Sequence, residues 1–339
     1  MAIMGMSKGN FLNQKKKLLV VGGCGYIGSH MVSHLLDCGH EVVVLDDLSS
    51  GKRSALLGGS LVEGRCGDRA LLKDLFSSHR FDGVLHFASF IQVGESVVDP
   101  MKYYKNNVAE TLVLIEEMMQ HDIKHFIFSS TAAVFGEPEY VPIDEQHPLR
   151  PINPYGLSKL MVEQMLSDFA RAYQFNYVCL RYFNAAGADP LARIGENHEP
   201  ETHLIPLALR AAMGTGAPLK LFGLDYPTQD GSCVRDYIHV CDLASAHLLA
   251  LNYLWEGGDS ACFNLGNGCG YSVLEVLQAV ERVTGNKVPY QAYPRREGDP
   301  AKLIAHAGKA LSQLHWEPKM ASLDSIVQHA WQWEKSKNV

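Results

Sequence analysis

A chain of 339 residues, 47% hydrophobic and 20% charged, is long enough for a large α/β domain with a well-buried core and a smaller one beside it. Its net charge of −7 argues against a sequence-independent grip on nucleic acid, which needs clustered Lys and Arg; a polyanionic small molecule would have to be met by a few placed arginines. No apolar run approaches the roughly 18 residues of a membrane helix, so no membrane span is expected.

Residues 1–16 are expected to be a disordered extension ahead of the fold. Lys15, Lys16 and Lys17 precede an apolar run over 18–21 that is too short for a secretory h-region and reads as a buried strand. That strand runs into Gly22-Gly23-Cys24-Gly25-Tyr26-Ile27-Gly28, followed by a helical pattern over 27–36 with Ile27, Met31 and Leu35 on one face. Glycines at 22, 25 and 28 suit a tight turn, close approach of backbone to a pyrophosphate, and close helix–sheet packing. The helix N-terminus would then offer free N–H groups to phosphate. A plain strand–helix turn is the bland alternative, and Asp46 weighs against it. It ends a second apolar strand over 41–45, where a carboxylate accepts from both ribose hydroxyls of NAD and would repel the 2′-phosphate of NADP. Asp68, after a short strand over 61–63, is placed either to meet the adenine edge or to cap the next helix.

Further strands are expected over 84–87, 125–129 and 177–181, with a helix over 111–119 between them. Strands alternating with helices predict a Rossmann-type, doubly wound parallel sheet. The NAD-binding domain is placed at 17–184. From there Gly, Pro and polar punctuation increase, and a smaller mixed α/β substrate domain is placed at 185–335, with some segments returning to the first.

Asn153-Pro154-Tyr155-Gly156-Leu157-Ser158-Lys159 opens a helix, and Tyr155 and Lys159, at i and i+4, share one of its faces. With 14 tyrosines in the chain one such pair is expected by chance, so its meaning comes from position. It lies downstream of a dinucleotide fold and of a strand ending in Ser129-Ser130-Thr131. Ionising a phenol of pKa about 10 at pH 7 costs roughly 4 kcal/mol. An ammonium about 4 Å away would return roughly 4 kcal/mol at an effective dielectric near 20, and a nicotinamide cation would add to that. Tyr155 is therefore expected to be a general base, with the Thr131 hydroxyl on the same substrate oxygen. Taken singly, Thr131 reads as a strand-end hydroxyl capping its own backbone.

At this point the sequence resembles UDP-glucose 4-epimerases over nearly its whole length from Leu18. The resemblance rests on the glycine turn through His30, His86-Phe87-Ala88, Val93-Gly94-Glu95-Ser96, Tyr155-Gly156-Leu157-Ser158-Lys159 and Arg181-Tyr182-Phe183-Asn184. Val234-Arg235-Asp236-Tyr237-Ile238-His239-Val240 and Pro294-Arg295-Arg296-Glu297-Gly298-Asp299 complete it. It implies interconversion of UDP-galactose and UDP-glucose by transient oxidation at C4, with tightly held NAD. It assigns Tyr26, Ile27, Phe87, Ala88, Asn106, Ser129 and Tyr182 to the cofactor, alongside Gly22, Gly25, Gly28, Asp46, Asp68, Tyr155 and Lys159. To the UDP-sugar it assigns Asn184, His203, Leu204, Phe222, Arg235, Arg296 and Asp299, with Thr131 and Tyr155. Two arginines suit a diphosphate; surface ion pairing and a core Phe are the bland readings.

There are departures. Ile91 stands where the family often has a cofactor-contacting lysine, and His203 where it often has Asn. Leu303 aligns with a position that gates bulk at the sugar's 2-substituent, so N-acetyl sugars are expected to be disfavoured. A 4,6-dehydratase would want Asp-Glu after Thr131, where Ala132-Ala133 stand, and a uronate enzyme would want a cation for its carboxylate. A non-catalytic NAD sensor would have no use for Tyr155, Lys159 and Thr131 together. The eight cysteines form no CxxC pair and are expected to be free thiols in a reducing cytosol. With no HExxH and no carboxylate cluster evident among the 15 histidines, no metal is expected. By analogy the chain is a homodimer built on helices over 111–119 and 158–173.

Overall fold

The computed structural model describes residues 14–296 and 298–337. The expected N-terminal extension lies, as far as residue 13, outside the described residues. In chain order the first part runs β1 (Lys17–Val21), α1 (Tyr26–Asp37), β2 (Glu41–Asp46), β3 (Ser60–Glu63), α2 (Arg69–Ser78) and β4 (Gly83–His86). Short helices α3 (Val93–Val98) and α4 (Pro100–Tyr103) follow, then α5 (Thr111–Gln120), β5 (His125–Thr131), α6 (Pro154–Tyr173) and β6 (Asn176–Tyr182). Next come β7 (Asn184–Ala186), α7 (Leu204–Met213), β8 (Leu219–Phe222), β9 (Val234–His239), α8 (Val240–Trp255) and β10 (Ala261–Leu265). The chain ends with β11 (Gly270–Ser272), α9 (Val273–Thr284), β12 (Tyr290–Tyr293), β13 (Lys302–Leu303) and α10 (Leu323–Ser336).

Seven strands form one parallel sheet in the order β10-β6-β5-β4-β1-β2-β3. Alternation along β1 shows why it is doubly wound. Leu18 and Val20 point to one face, where Met31 and Leu35 of α1 and Leu243 and Leu251 of α8 cover them. Leu19 and Val21 point to the other, into a core with Leu72 and Phe76 of α2, Leu114 of α5 and Leu166 of α6. Strands buried on both faces must be apolar throughout, which is how residues 18–21 read. The strand order reverses between β1 and β4, and their carboxyl ends open the crevice in which such sheets bind ligands.

After β6 the chain builds a smaller layer. β9 pairs with β11, β13 and β7, and β8 pairs with β12, while α7, α9 and α10 pack into a separate core around Leu209, Val280 and Ile326. α8 and β10 return to the large sheet, β10 extending its edge beside β6.

A buried ion pair fixes α6 to the sheet. Arg181 of β6 grips Glu163 of α6 from Nε at 3.0 and 3.1 Å and from its terminal nitrogen at 2.5 Å, and the Ser130 hydroxyl donates to the same carboxylate at 2.5 Å. Both side chains are about 5% exposed or less. Removing one partner of such a pair strands a buried charge. The Glu163→Ala variant is therefore expected to lose about 3–5 kcal/mol by urea denaturation, and a Glu163→Leu/Arg181→Met double variant to recover most of it. A single-variant loss below about 1 kcal/mol would contradict this account of how α6 is held.

Candidate functional site

The glycine turn closes over the end of β4. Gly22 has φ +79°, and a Cβ there would lie 2.5 Å from the Ala88 nitrogen; one on Gly28 would lie 2.1 Å from the Gly22 carbonyl oxygen. No side chain fits either place, so the backbone itself lines the crevice. Asp46, buried at the end of β2, accepts from the Cys24 N–H at 2.8 Å and from the Leu48 N–H at 2.9 Å. Burial raises its carboxyl and these two N–H groups oppose the rise. Asp46 thus braces the turn while keeping lone pairs toward a groove lined by Gly22, Gly25, Phe87, Ala88, Arg65 and Asn106. A nucleotide fits this cradle on the evidence of the missing side chains and the buried acceptor.

Asp68 takes the less functional of its two alternatives. Its carboxylate accepts from the Ala70 and Leu71 N–H groups, both at 3.1 Å, and caps α2, while Arg65 and Cys66 line the groove. Arg65 is in turn held by Glu110 and lies 3.4 Å from the Asn106 carboxamide oxygen. Tyr26, buried at the start of α1, donates to the Gly187 carbonyl at 2.7 Å, which ties the turn to the second layer. Ile27, beside it, packs against the α1 side of the sheet.

The next group gathers at the end of β5. Lys159 is buried and donates to the Ser89 hydroxyl at 2.8 Å and the Ser129 carbonyl at 2.7 Å, with its ammonium 4.7 Å from the Phe128 ring. Burial holds it down to about 7. Tyr155 lies on the same helix face, yet no hydrogen bond joins the two; burial raises its phenol, opposed by a hydrogen bond from Thr131. Lys159 donates to the Ser89 and Ser129 oxygens and not to the phenol. Thr131 Oγ1 accepts from the Ala133 N–H at 3.1 Å, the local cap, and this leaves its hydrogen for the phenol oxygen. The geometry shows the capping reading of Thr131.

Supporting residues went unread in the sequence. Asn107, in the π-helical turn Tyr104–Glu110, accepts from the Phe90 N–H at 2.9 Å, donates to the Phe90 carbonyl at 3.0 Å and donates to Ser158 Oγ at 3.1 Å. It locks the irregular segment after β4 onto α6. His247 is held neutral by burial, its pKa lowered to about 4; its Nδ1 donates to the Leu243 carbonyl, so its Nε2 accepts from the Ser129 hydroxyl at 3.2 Å. Tyr182, at the end of β6, is partly buried beside Tyr155 and Ser129, and burial raises its phenol.

The expected substrate residues gather in the second layer. Arg235 donates to the Pro300 carbonyl at 2.9 Å and to the Asp299 carboxylate at 2.7 Å, so the two residues meet each other. Arg296 stacks 3.9 Å over Phe222, and Asn184 lies exposed at the start of β7. His203 precedes α7, whose first residue is Leu204, and touches Glu196. Burial alone would lower His203, but the Glu196 carboxylate overrides it and holds it up to about 9. Ile91 is exposed at the position where a lysine was expected from the resemblance, and Lys159 and Asn107 serve that loop instead.

This arrangement defines a class: an extended short-chain dehydrogenase, which holds a dinucleotide at the sheet's switch point and a tyrosine base on the neighbouring helix. The chain belongs to the NAD dependent epimerase/dehydratase family, which matches residues 18–266. It is 52% identical to the UDP-glucose 4-epimerase of Halalkalibacterium halodurans over 318 residues, covering 94% of this chain and 95% of that one. Among solved structures it is similar to UDP-glucose 4-epimerase from Brucella ovis in complex with NAD (TM-score 0.91, 46% identity, 93% and 97% of the two chains). It is also similar to the Bifidobacterium longum enzyme in complex with NAD+ and UDP (TM-score 0.91, 37% identity, 95% and 99%).

Lys159 has a measurable consequence for stability. With the native ammonium lowered from 10.5 to about 7, the unfolded chain binds more protons between those values, so stability rises with pH across that window. The stability difference between the protein and its Lys159→Met variant, both freed of cofactor, should therefore grow in the protein's favour from pH 7 to about pH 10, by at most ~1.4 kcal/mol per pH unit. A difference independent of pH would show that the ammonium stays charged in the folded state.

Proposed function

We propose that this chain interconverts UDP-galactose and UDP-glucose by transient oxidation at C4, using tightly bound NAD and Tyr155 as the base. The observation that carries the reading is the gathering of Tyr155, Thr131 and buried Lys159 at the end of β5, with Lys159 Nζ on the Ser129 carbonyl at 2.7 Å. Asp46, the glycine turn, Phe87, Ala88, Asn106, Ser129 and Tyr182 hold the cofactor in this reading. Bound NAD supplies the oxidant that takes two electrons and a hydrogen from C4 and returns them to either face of the ketone.

The protein's part is to move one proton and to hold one end of the substrate still. Tyr155 takes the proton of the 4-hydroxyl and gives it back, so acid and base balance over a turnover. Thr131, whose hydroxyl faces the phenol, would turn its hydrogen to the same substrate oxygen and orient it. Burial raises the phenol, so the positive charges of the Lys159 ammonium and of an oxidised nicotinamide would together supply its acidity. Proton removal is thereby tied to the oxidised cofactor. Arg235 and Arg296 meet the diphosphate, with Asn184, His203, Leu204, Phe222 and Asp299 around the nucleotide, while the hexose turns about its link. Leu303, packed on the cluster containing Phe183, favours sugars with a free 2-hydroxyl. The outer faces of α5 and α6 carry exposed Leu112 and Met161, which supports a homodimer; eight free thiols support a cytoplasmic setting. Among the described residues no helix is long and apolar enough to cross a membrane.

Tyr155→Phe tests the reading. It should retain bound nicotinamide on denaturation and lose about 10²–10⁴-fold in the rate of UDP-galactose conversion, the range of a lost acid–base group. Unchanged turnover would remove Tyr155 as the base.

A further inference from the structure

We propose that the loop between β7 and α7 forms a transition-metal site, best suited to Zn²⁺, from Glu196, His198, Glu201 and His203. One ligand atom of each lies within 4.8 Å of the others. The Nδ1 atoms of both imidazoles converge on Glu196 Oε1, His198 at 3.0 Å and His203 in direct contact. Glu201 Oε1 stands 4.0 and 3.9 Å from the same two nitrogens. A tetrahedron with metal–ligand bonds of 2.0–2.1 Å has edges of about 3.3 Å, and these separations bracket it.

The site is built rather than scattered on a surface. The Glu196 side chain is 4% exposed and that of Glu201 1%. Glu201 Oε2 has no hydrogen bond, and among the described residues Arg210 stands 3.6 Å from it. The two buried carboxylates lean on that guanidinium and on the imidazole at Glu196, and a divalent cation between them would neutralise both directly. Two imidazoles and two carboxylates suit zinc and its neighbours; magnesium and calcium prefer all-oxygen sets. Four protein ligands leave no open position, so the site is structural. The other such group among the described residues, Glu163 with Cys179 and Cys262, is already neutralised by Arg181.

Its position explains what an ion there would do. Trp333 and Lys337 at the end of the chain both donate to the Glu196 carbonyl, at 2.8 and 2.6 Å. His198 meets the ring edge of Tyr26 with centroids 6.3 Å apart and shares a cleft with Cys24 and Gly25 of the glycine turn. One ion would therefore fasten the cofactor turn, the start of α7 and the C-terminal helix together. Binding needs neutral imidazoles, so it releases protons and weakens as pH falls.

The test uses the full-length protein with its cofactor in a Cys38→Ser/Cys269→Ser background, which removes the two exposed thiols that would bind zinc adventitiously. After chelation, titration with ZnCl₂ should show one ion per chain, a raised melting temperature and proton release. CoCl₂ should give the intense visible absorption of a four-coordinate ion. Glu201→Gln and His198→Ala should each weaken zinc binding by more than the roughly 10–100-fold that outer-shell changes cost. Equal affinity in these variants, or no stoichiometric binding and no four-coordinate cobalt spectrum in the parent, would overturn the proposal and leave a hydrogen-bonded His–Glu cluster.

Discussion

Burying an ammonium beneath the cleft constrains everything above it. Lys159 sits where water cannot reach, with two oxygen acceptors and one ring face for its charge. An ammonium tolerates that only if each acceptor is held in place. Ser129 is held by the β5 ladder and by neutral His247, and Ser89 belongs to the loop after β4 that Asn107 locks onto α6. The helix that carries Lys159 is fixed to β6 by Glu163 and Arg181. Tyr155, one turn earlier on that helix, is thereby held with its phenol beside Thr131 at the end of β5. The site is a consequence of satisfying one buried charge.

The same geometry divides labour between protein and cofactor. Left to its own groups the protein raises the Tyr155 phenol, because burial outweighs the single hydrogen bond from Thr131. In the proposed reaction, a phenol made more acidic by an oxidised nicotinamide would take a proton most readily when the accompanying electrons have somewhere to go. This couples the two halves of an oxidation without any moving part in the protein. The glycine turn contributes by proximity: with no room for a Cβ at Gly22 or Gly28, the backbone approaches close enough for helix α1 to present its N-terminus to phosphate.

Features governed by local periodicity or by backbone sterics were legible in the sequence. The apolar run at 18–21 reads as a buried strand, the glycine spacing as a close-approach turn, and Asp46 at a strand end as an acceptor that weighs against a plain strand–helix turn. What the sequence could not convey was partner choice among polar groups far apart in the chain. Tyr155 and Lys159 are four residues apart, but the ammonium's partners are Ser89 and Ser129. Asp68 satisfied its own helix, because two N–H groups next door compete well with a distant ligand. Arg235 and Asp299 meet across 64 residues. The Glu196–His203 cluster was missed because its E-x-H-x-x-E-x-H spacing lies on a loop and a helix start, where no period signals convergence.

The central claim is that a captive cofactor oxidises and re-reduces the sugar at one carbon while Tyr155 handles only the oxygen-bound proton. It is tested most directly by incubating the purified chain with UDP-galactose in D₂O, with no nicotinamide added, and following the products by proton NMR. The account predicts that UDP-glucose appears with protium retained at C4, because the carbon-bound hydrogen never exchanges with solvent. Deuterium at C4, or no conversion without added cofactor, would contradict it.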